Sequence, residues 1–94
     1  MVVGTLRLRL VIRSSRSLKD KRRTVRSVKD RIRSKFNASV AEVASLESHQ
    51  VAELGVAVVG NDHAFVQSVL SQIANLVALQ ARDAELASCD VEIQ

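Results

Sequence analysis

The chain has 94 residues, 47% of them hydrophobic and 26% charged, with a single cysteine, Cys89, and a formal net charge of +4. That length and balance describe one globular domain rather than a disordered chain, and one cysteine excludes an internal disulfide. No apolar run approaches the roughly 18 residues of a membrane span, and Arg7, Arg9 and Arg13 interrupt the stretch where a signal peptide would be apolar, so a cytoplasmic protein with no membrane partner is expected.

Residues 5–13 read as a strand. Leu6, Leu8, Leu10 and Ile12 alternate with Arg7, Arg9 and Arg13, the period of two that buries one face and wets the other. After a short loop at 14–17, a helix is predicted over 18–36. Ser17 is its expected N-cap, and Asp20 three residues on makes a variant of the capping box. Leu18, Val25, Val28, Ile32 and Phe36 fall on one stripe at helical spacing, and Asn37 is the stop signal.

Two strand-like runs follow, at 39–46 and 54–60, with Val40 and Val43 on opposite faces of the first. Residues 47–53 join them as a hairpin loop. Gly60, Asn61 and Asp62 supply a turn and a cap for a second helix over 63–79. Phe65, Val66, Val69, Leu70, Ile73, Leu76 and Val77 form its apolar face, and the opposite face is polar without charge. Residues 86–93 read as the last strand, with Cys89, Val91 and Ile93 inward and Asp90 and Glu92 outward.

The order is β-α-β-β-α-β, and each helix has one apolar stripe. Both helices can therefore lie on one face of a single sheet. Right-handed crossovers then favour an α+β, ferredoxin-like domain: a four-stranded antiparallel sheet with two helices on one face.

The net charge hides a sharp asymmetry. Residues 1–36 hold thirteen of the fourteen Lys and Arg and only the acids Asp20 and Asp30, a balance of +11. Residues 37–94 hold one cation, Arg82, against eight acids, a balance of −7. Segregation of this kind points to an anionic partner unless the fold interleaves the two halves. In the expected sheet, Arg7 and Arg9 share the open face with Asp90 and Glu92, and Glu53 adds an acid from the other side. The strand arginines are thus largely balanced.

The first helix is different. At about 100° per residue, Lys29, Arg22, Arg33, Arg26, Lys19 and Arg23 fall successively along one flank. Arg31 and Lys35 take the opposite flank, and Lys21 borders the apolar stripe. No glutamate alternates with these cations, as it would on an ordinary solvated helix. Ser17, Lys19 and the free N–H groups of the first turn offer a place for one phosphate. No predicted strand has an aromatic residue, so base stacking is not expected. Backbone contact with structured, double-stranded nucleic acid suits arginines and lysines better.

The run Ser17, Leu18, Lys19, Asp20, Lys21, Arg22 and Arg23 resembles the SLKDKR signature of the YlxP-like family of small bacterial proteins, long described as a domain of unknown function. The match continues through Val25 to Arg31, then Lys35, Phe36 and Asn37, and Ser39 to Val43. It resumes at Leu54 to Val59 with Asn61 and Asp62, so it covers nearly the whole chain. The resemblance implies a ferredoxin-like fold and a role at the ribosome, with no catalytic residues to transfer. Residues 44–50 depart from the family, where an aromatic residue is usual.

The expectation is a non-enzymatic protein bound to structured RNA or the small ribosomal subunit through Ser17, Lys19, Arg22, Arg23, Arg26, Lys29 and Arg33. The alternative is a protein-interaction module, a homodimer formed through the open sheet face with Val11, Ala57 and Val59. No cofactor or metal is expected, because His49, His63 and Cys89 lack metal-ligand spacing and Gly4, Gly55 and Gly60 form no phosphate loop. Cys89 reads as a small core residue, and Glu42 and Glu53 are brought close by the hairpin without being marked as a catalytic pair.

Overall fold

The computed structural model describes residues 1–80 and 83–94, with Gln80 described by its backbone alone; Arg82 lies outside the described residues. Its elements are β1 (Val2–Val11), α1 (Leu18–Lys35), β2 (Ser39–Ala44), β3 (Val51–Gly60), α2 (His63–Gln80) and β4 (Glu85–Ile93). The four strands form one sheet in the order β2-β3-β1-β4, every neighbouring pair antiparallel. This is the expected ferredoxin-like arrangement.

The core lies between the sheet and the helices. Leu6, Leu8, Leu10 and Ile12 from the first strand and its extension meet Ala52, Leu54, Val56 and Val58 from β3, all buried. Val25, Val28 and Ile32 of α1 and Val66, Leu70, Ile73 and Val77 of α2 close the layer from above. Alternation decides the face in each strand, and a single stripe decides it in each helix. At Gly4 the fit between β1 and α2 is so close that a Cβ would collide with side-chain atoms of Val66 and Leu70.

The expected N-caps are in place, whereas α1 ends at Lys35 with Phe36 in extended backbone as its C-cap rather than at Asn37. Ser17 caps α1: its hydroxyl accepts from Asp20 N at 3.1 Å, and the Asp20 carboxylate accepts from Arg16 N at 3.1 Å. Asp62 caps α2, its carboxylate accepting from Phe65 N at 2.9 Å. Ser17→Ala is expected to lower stability by about 1 kcal/mol, the usual worth of an N-cap side chain, measured as a shift of the urea midpoint.

Four other expectations need correction. Phe65 is 57% exposed rather than part of the α2 core face. It sits in the first turn, at the end of the sheet beside Gly60, beyond the reach of the helix layer. Cys89 and Val91 face the helix side by register but are exposed, because β4 is an edge strand and the helices do not extend over its middle. The strand predicted over 39–46 stops at Ala44, where the register slips between Glu42 and Ala44 and Ser45 takes a φ of 58°. Such a left-handed backbone is uncommon for serine and terminates the ladder.

Strand alternation also separates two acids. Glu42 stands opposite Leu54 on the helix side, whereas Ala44 stands opposite Glu53 on the open side. Glu42 and Glu53 are neighbours in the hairpin but belong to opposite faces of the sheet.

The last correction concerns Lys21. Placed at the border of the apolar stripe by its angle, it is 1% exposed and as buried as the core leucines.

Candidate nucleic-acid interface

Lys21 explains how the basic helix is held. Its Nζ donates to the carbonyl oxygens of Ser45 at 2.9 Å, Val51 at 3.2 Å and Leu46 at 3.5 Å. An ammonium has three protons and no acceptor, so a nest of oxygens is the surrounding that suits it when buried. Glu42 Oε2 lies 2.8 Å from the same nitrogen, the shortest of the four contacts, and pairs its charge. The lysine therefore pins the loop between β2 and β3 onto α1 and holds the strained Ser45 in place. The same loop is tied to the end of β1, where Ile12 N donates to Gln50 O at 2.7 Å and Gln50 Nε2 donates to Ser15 O at 3.2 Å.

The strand arginines are accounted for on the open sheet face. Arg7 and Arg9 reach Glu53 Oε1 at 3.5 and 3.9 Å, so the balancing acid comes from β3. Asp90 stands opposite Arg7 and Glu92 opposite Thr5, yet neither makes an ion pair among the described residues. The Ser45 hydroxyl donates to Glu53 Oε2 at 2.6 Å. That hydrogen bond, with Arg7 and Arg9 and against the opposing effect of partial burial, holds the Glu53 carboxyl below its ordinary value of 4.5.

The folded value is below the unfolded one. The ionised carboxylate therefore stabilises the fold above about pH 4.5, and that contribution is lost as pH falls through the lowered value. Glu53→Gln is expected to flatten the dependence of the urea midpoint on pH below 4.5, while the wild type loses stability there.

The remaining positive charge gathers on one side of α1. Arg22, Arg26, Lys29 and Arg33 line an open groove of about 380 Å³ between α1 and β2, with Val25 and Glu42 on its inner side. These residues recur at i, i+4, i+7 and i+11, which keeps them on one flank over a length of about 16 Å. Lys29 is half-buried and the three arginines are exposed. Arg33 Nη2 donates to Val40 O at 2.9 Å, which fixes its guanidinium beside β2 and leaves its other N–H groups outward. Among the described residues, Arg22, Arg26 and Lys29 make no ion pair. Glu42 faces the groove with its charge matched by Lys21, so Asp30 is the acid left among the lining residues.

The other three predicted site residues fall elsewhere. Arg23 lines a separate recess with Asp20, Thr24 and Asp83 on the far side of the helix start. Lys19 is exposed and lines neither depression. Ser17 is engaged as the N-cap, accepting from Asp20 N, and the Asp20 carboxylate beside it accepts from Arg16 N, which sets a negative charge at that turn. The run at 17–23 thus divides by role. Ser17, Asp20 and Lys21 hold the structure together, while Lys19, Arg22 and Arg23 face water.

Among the described residues no three His, Cys, Asp or Glu gather as a metal set, and no helix is long and apolar enough to cross a membrane.

Comparison with known proteins gives the fold and a family. The solution NMR structure of the de novo designed protein LFR1 1, with ferredoxin fold, superposes with a TM-score of 0.58 at 12% identity, covering 100% of this chain and 84% of that one. The de novo designed protein Foldit4 gives 0.53 at 15% identity, covering 99% and 94%. Both likenesses concern the fold alone. No curated protein matches in sequence. A family model described as "Protein of unknown function (DUF503)" matches residues 3–91.

Proposed function

The chain belongs to the DUF503 family, whose description names no function, and we propose from the geometry of this member that it is a non-enzymatic, cytoplasmic RNA-associated protein. The observation that carries the proposal is the groove of Arg22, Arg26, Lys29 and Arg33, a row of cations on one helix flank with the neighbouring acid already spent on Lys21. Guanidinium and ammonium groups in a row contact phosphates without reading bases. The groove follows one flank of α1 and lacks aromatic side chains, which suits the backbone of a duplex better than an unstacked single strand. The resemblance to the YlxP-like family, with its suggested role at the ribosome, supports structured RNA of the small subunit as the partner.

The test is retardation of a duplex RNA in a native gel, with a single strand of the same length as comparison. The duplex is expected to bind more tightly, and added salt to weaken binding steeply. Equal affinity for both, or binding indifferent to salt, would sink the proposal.

A second reading is association of two chains through the open sheet face. Val59 at 60% exposure and Val43 at 49% favour it, with Gly55 and Ala57 leaving the middle of that face shallow. Sedimentation at low and high salt separates the two, since a monomer at every salt concentration removes the second.

A further inference from the structure

The two edges of the sheet differ. β2 is short, interrupted by the bulge at Val43, and has a carbonyl capped by Arg33 at 2.9 Å, three of the devices by which an edge strand is kept from pairing. β4 is nine residues long and contains neither proline nor lysine; its own register shift falls at Ala87, near its start, and leaves Ser88 to Ile93 in unbroken register with β1. From Ala87 to Glu92 every residue is exposed, whichever face it occupies.

The backbone groups of β4 can be assigned. Val3 and Gln94 exchange both hydrogen bonds, at 3.3 and 2.9 Å, so they are a hydrogen-bonded pair. Facing pairs alternate along an antiparallel ladder. Glu92, with Thr5, and Asp90, with Arg7, are then bonded to β1, whereas Ile93, Val91 and Cys89 turn their N–H and C=O groups outward. Among the described residues nothing bonds to these outward groups.

We propose that the outer edge of β4 is a docking site for an extended segment of a partner protein in which cationic and apolar residues alternate. A strand added there pairs with the outward groups of Cys89, Val91 and Ile93. Its side chains opposite Asp90 and Glu92 lie on the open face, where both acids lack a cation among the described residues. Its alternate side chains cover Cys89 and Val91, the latter 48% exposed. β1 displays the complement on the inner side: Arg7 stands opposite Asp90, with Leu6 and Leu8 opposite Val91 and Cys89. A docked strand of the same alternation repeats that pairing outside. A second copy of β4 is a poorer occupant, because it would set two acidic strands side by side.

The test is fluorescence anisotropy with an end-blocked, labelled peptide of alternating valine and lysine, about seven residues long, against the matching valine–glutamate peptide. The full chain is expected to bind the lysine peptide saturably and the glutamate peptide not at all. Val91→Pro removes an outward N–H that β1 does not use, so it should weaken binding roughly tenfold while the circular dichroism and thermal midpoint stay near wild type. Asp90→Lys with Glu92→Lys should reverse the preference between peptides. In the wild type, the amide resonances of Cys89, Val91 and Ile93 should move most on titration, which reads the site without any variant. Equal binding by Val91→Pro when it is folded, or resonance shifts centred elsewhere, would overturn the proposal. So would a wild-type dimer that Val91→Pro converts to a monomer, which would make the occupant a second copy.

Discussion

Lys21→Met is expected to lower the thermal midpoint by about 15 °C or more, the largest single effect in the chain. Methionine preserves most of the volume and the apolar stem, so the loss is not a cavity effect. What goes is the charge and its three donors. The carbonyls of Ser45, Leu46 and Val51 lose a buried partner, and the largely buried Glu42 carboxylate loses the ammonium that stood 2.8 Å from it. Removing one member of a buried ion pair costs about 3–5 kcal/mol, because the remaining charge stays desolvated. In a domain of this size each kcal/mol shifts the midpoint by about 4–8 °C. The double variant Lys21→Met with Glu42→Gln should recover part of the loss, since it removes the stranded charge. Thermal denaturation followed by circular dichroism measures both. A Lys21→Met protein within a few degrees of wild type would mean that the lysine does not pin the loop.

The second large effect concerns binding. Arg22→Gln, Arg26→Gln and Lys29→Gln together are expected to lower affinity for duplex RNA at least about a hundredfold at low salt. These positions are exposed or half-exposed on one flank, and Arg22, Arg26 and Lys29 make no ion pair among the described residues, so the fold should tolerate the changes. Each lost phosphate contact reduces the slope of log affinity against log salt by about 0.9, so the triple variant should lose a slope of about 2 to 3. Arg23→Gln is the internal control. It lines the other recess, with Asp20 and Asp83, and should leave the slope nearly unchanged. A triple variant with the wild-type slope would place the contact elsewhere, and an Arg23→Gln variant as weak as the triple would enlarge the site around the helix start.

The fold was legible because its signals are short-range. Leu6, Leu8, Leu10 and Ile12 declare a strand face within seven residues, and Val25, Val28 and Ile32 declare a helix face within eight. Ser17 and Asp62 act through bonds that span three residues. The basic flank of α1 also follows from angular spacing along one helix. These features need no knowledge of the rest of the molecule.

The division of that flank was not legible, because it depends on what lies opposite. By angle, Arg22, Arg26, Lys29 and Arg33 belong with Lys19 and Arg23, but β2 runs beside the first four and makes one groove of them. Arg23 lines another recess with Asp83, a residue sixty positions away in the chain. Lys21 carries the same charge as Lys19, Arg22 and Arg23. It is buried because three carbonyls 24 to 30 residues further on, together with Glu42 of β2, close over it. Glu42 rather than Glu53 joins it because Glu42 stands opposite Leu54 on the helix side and Glu53 opposite Arg9 on the open side. Cys89 and Val91 keep the inward parity of a core strand, yet remain exposed because the helix layer does not extend over the middle of β4.

The amino-acid sequence alone therefore determined which segments are strands and helices, which faces they bury and that positive charge concentrates on α1. Periodicity and capping are local properties of the chain, and they specify those outcomes wherever the segment is placed. Only the tertiary structure decided which cations are free to meet an anion, because a charged side chain's role depends on partners distant in sequence. The basic helix is one feature in the chain and two in the fold: Lys21 holds the molecule together, and the groove beside it is left open.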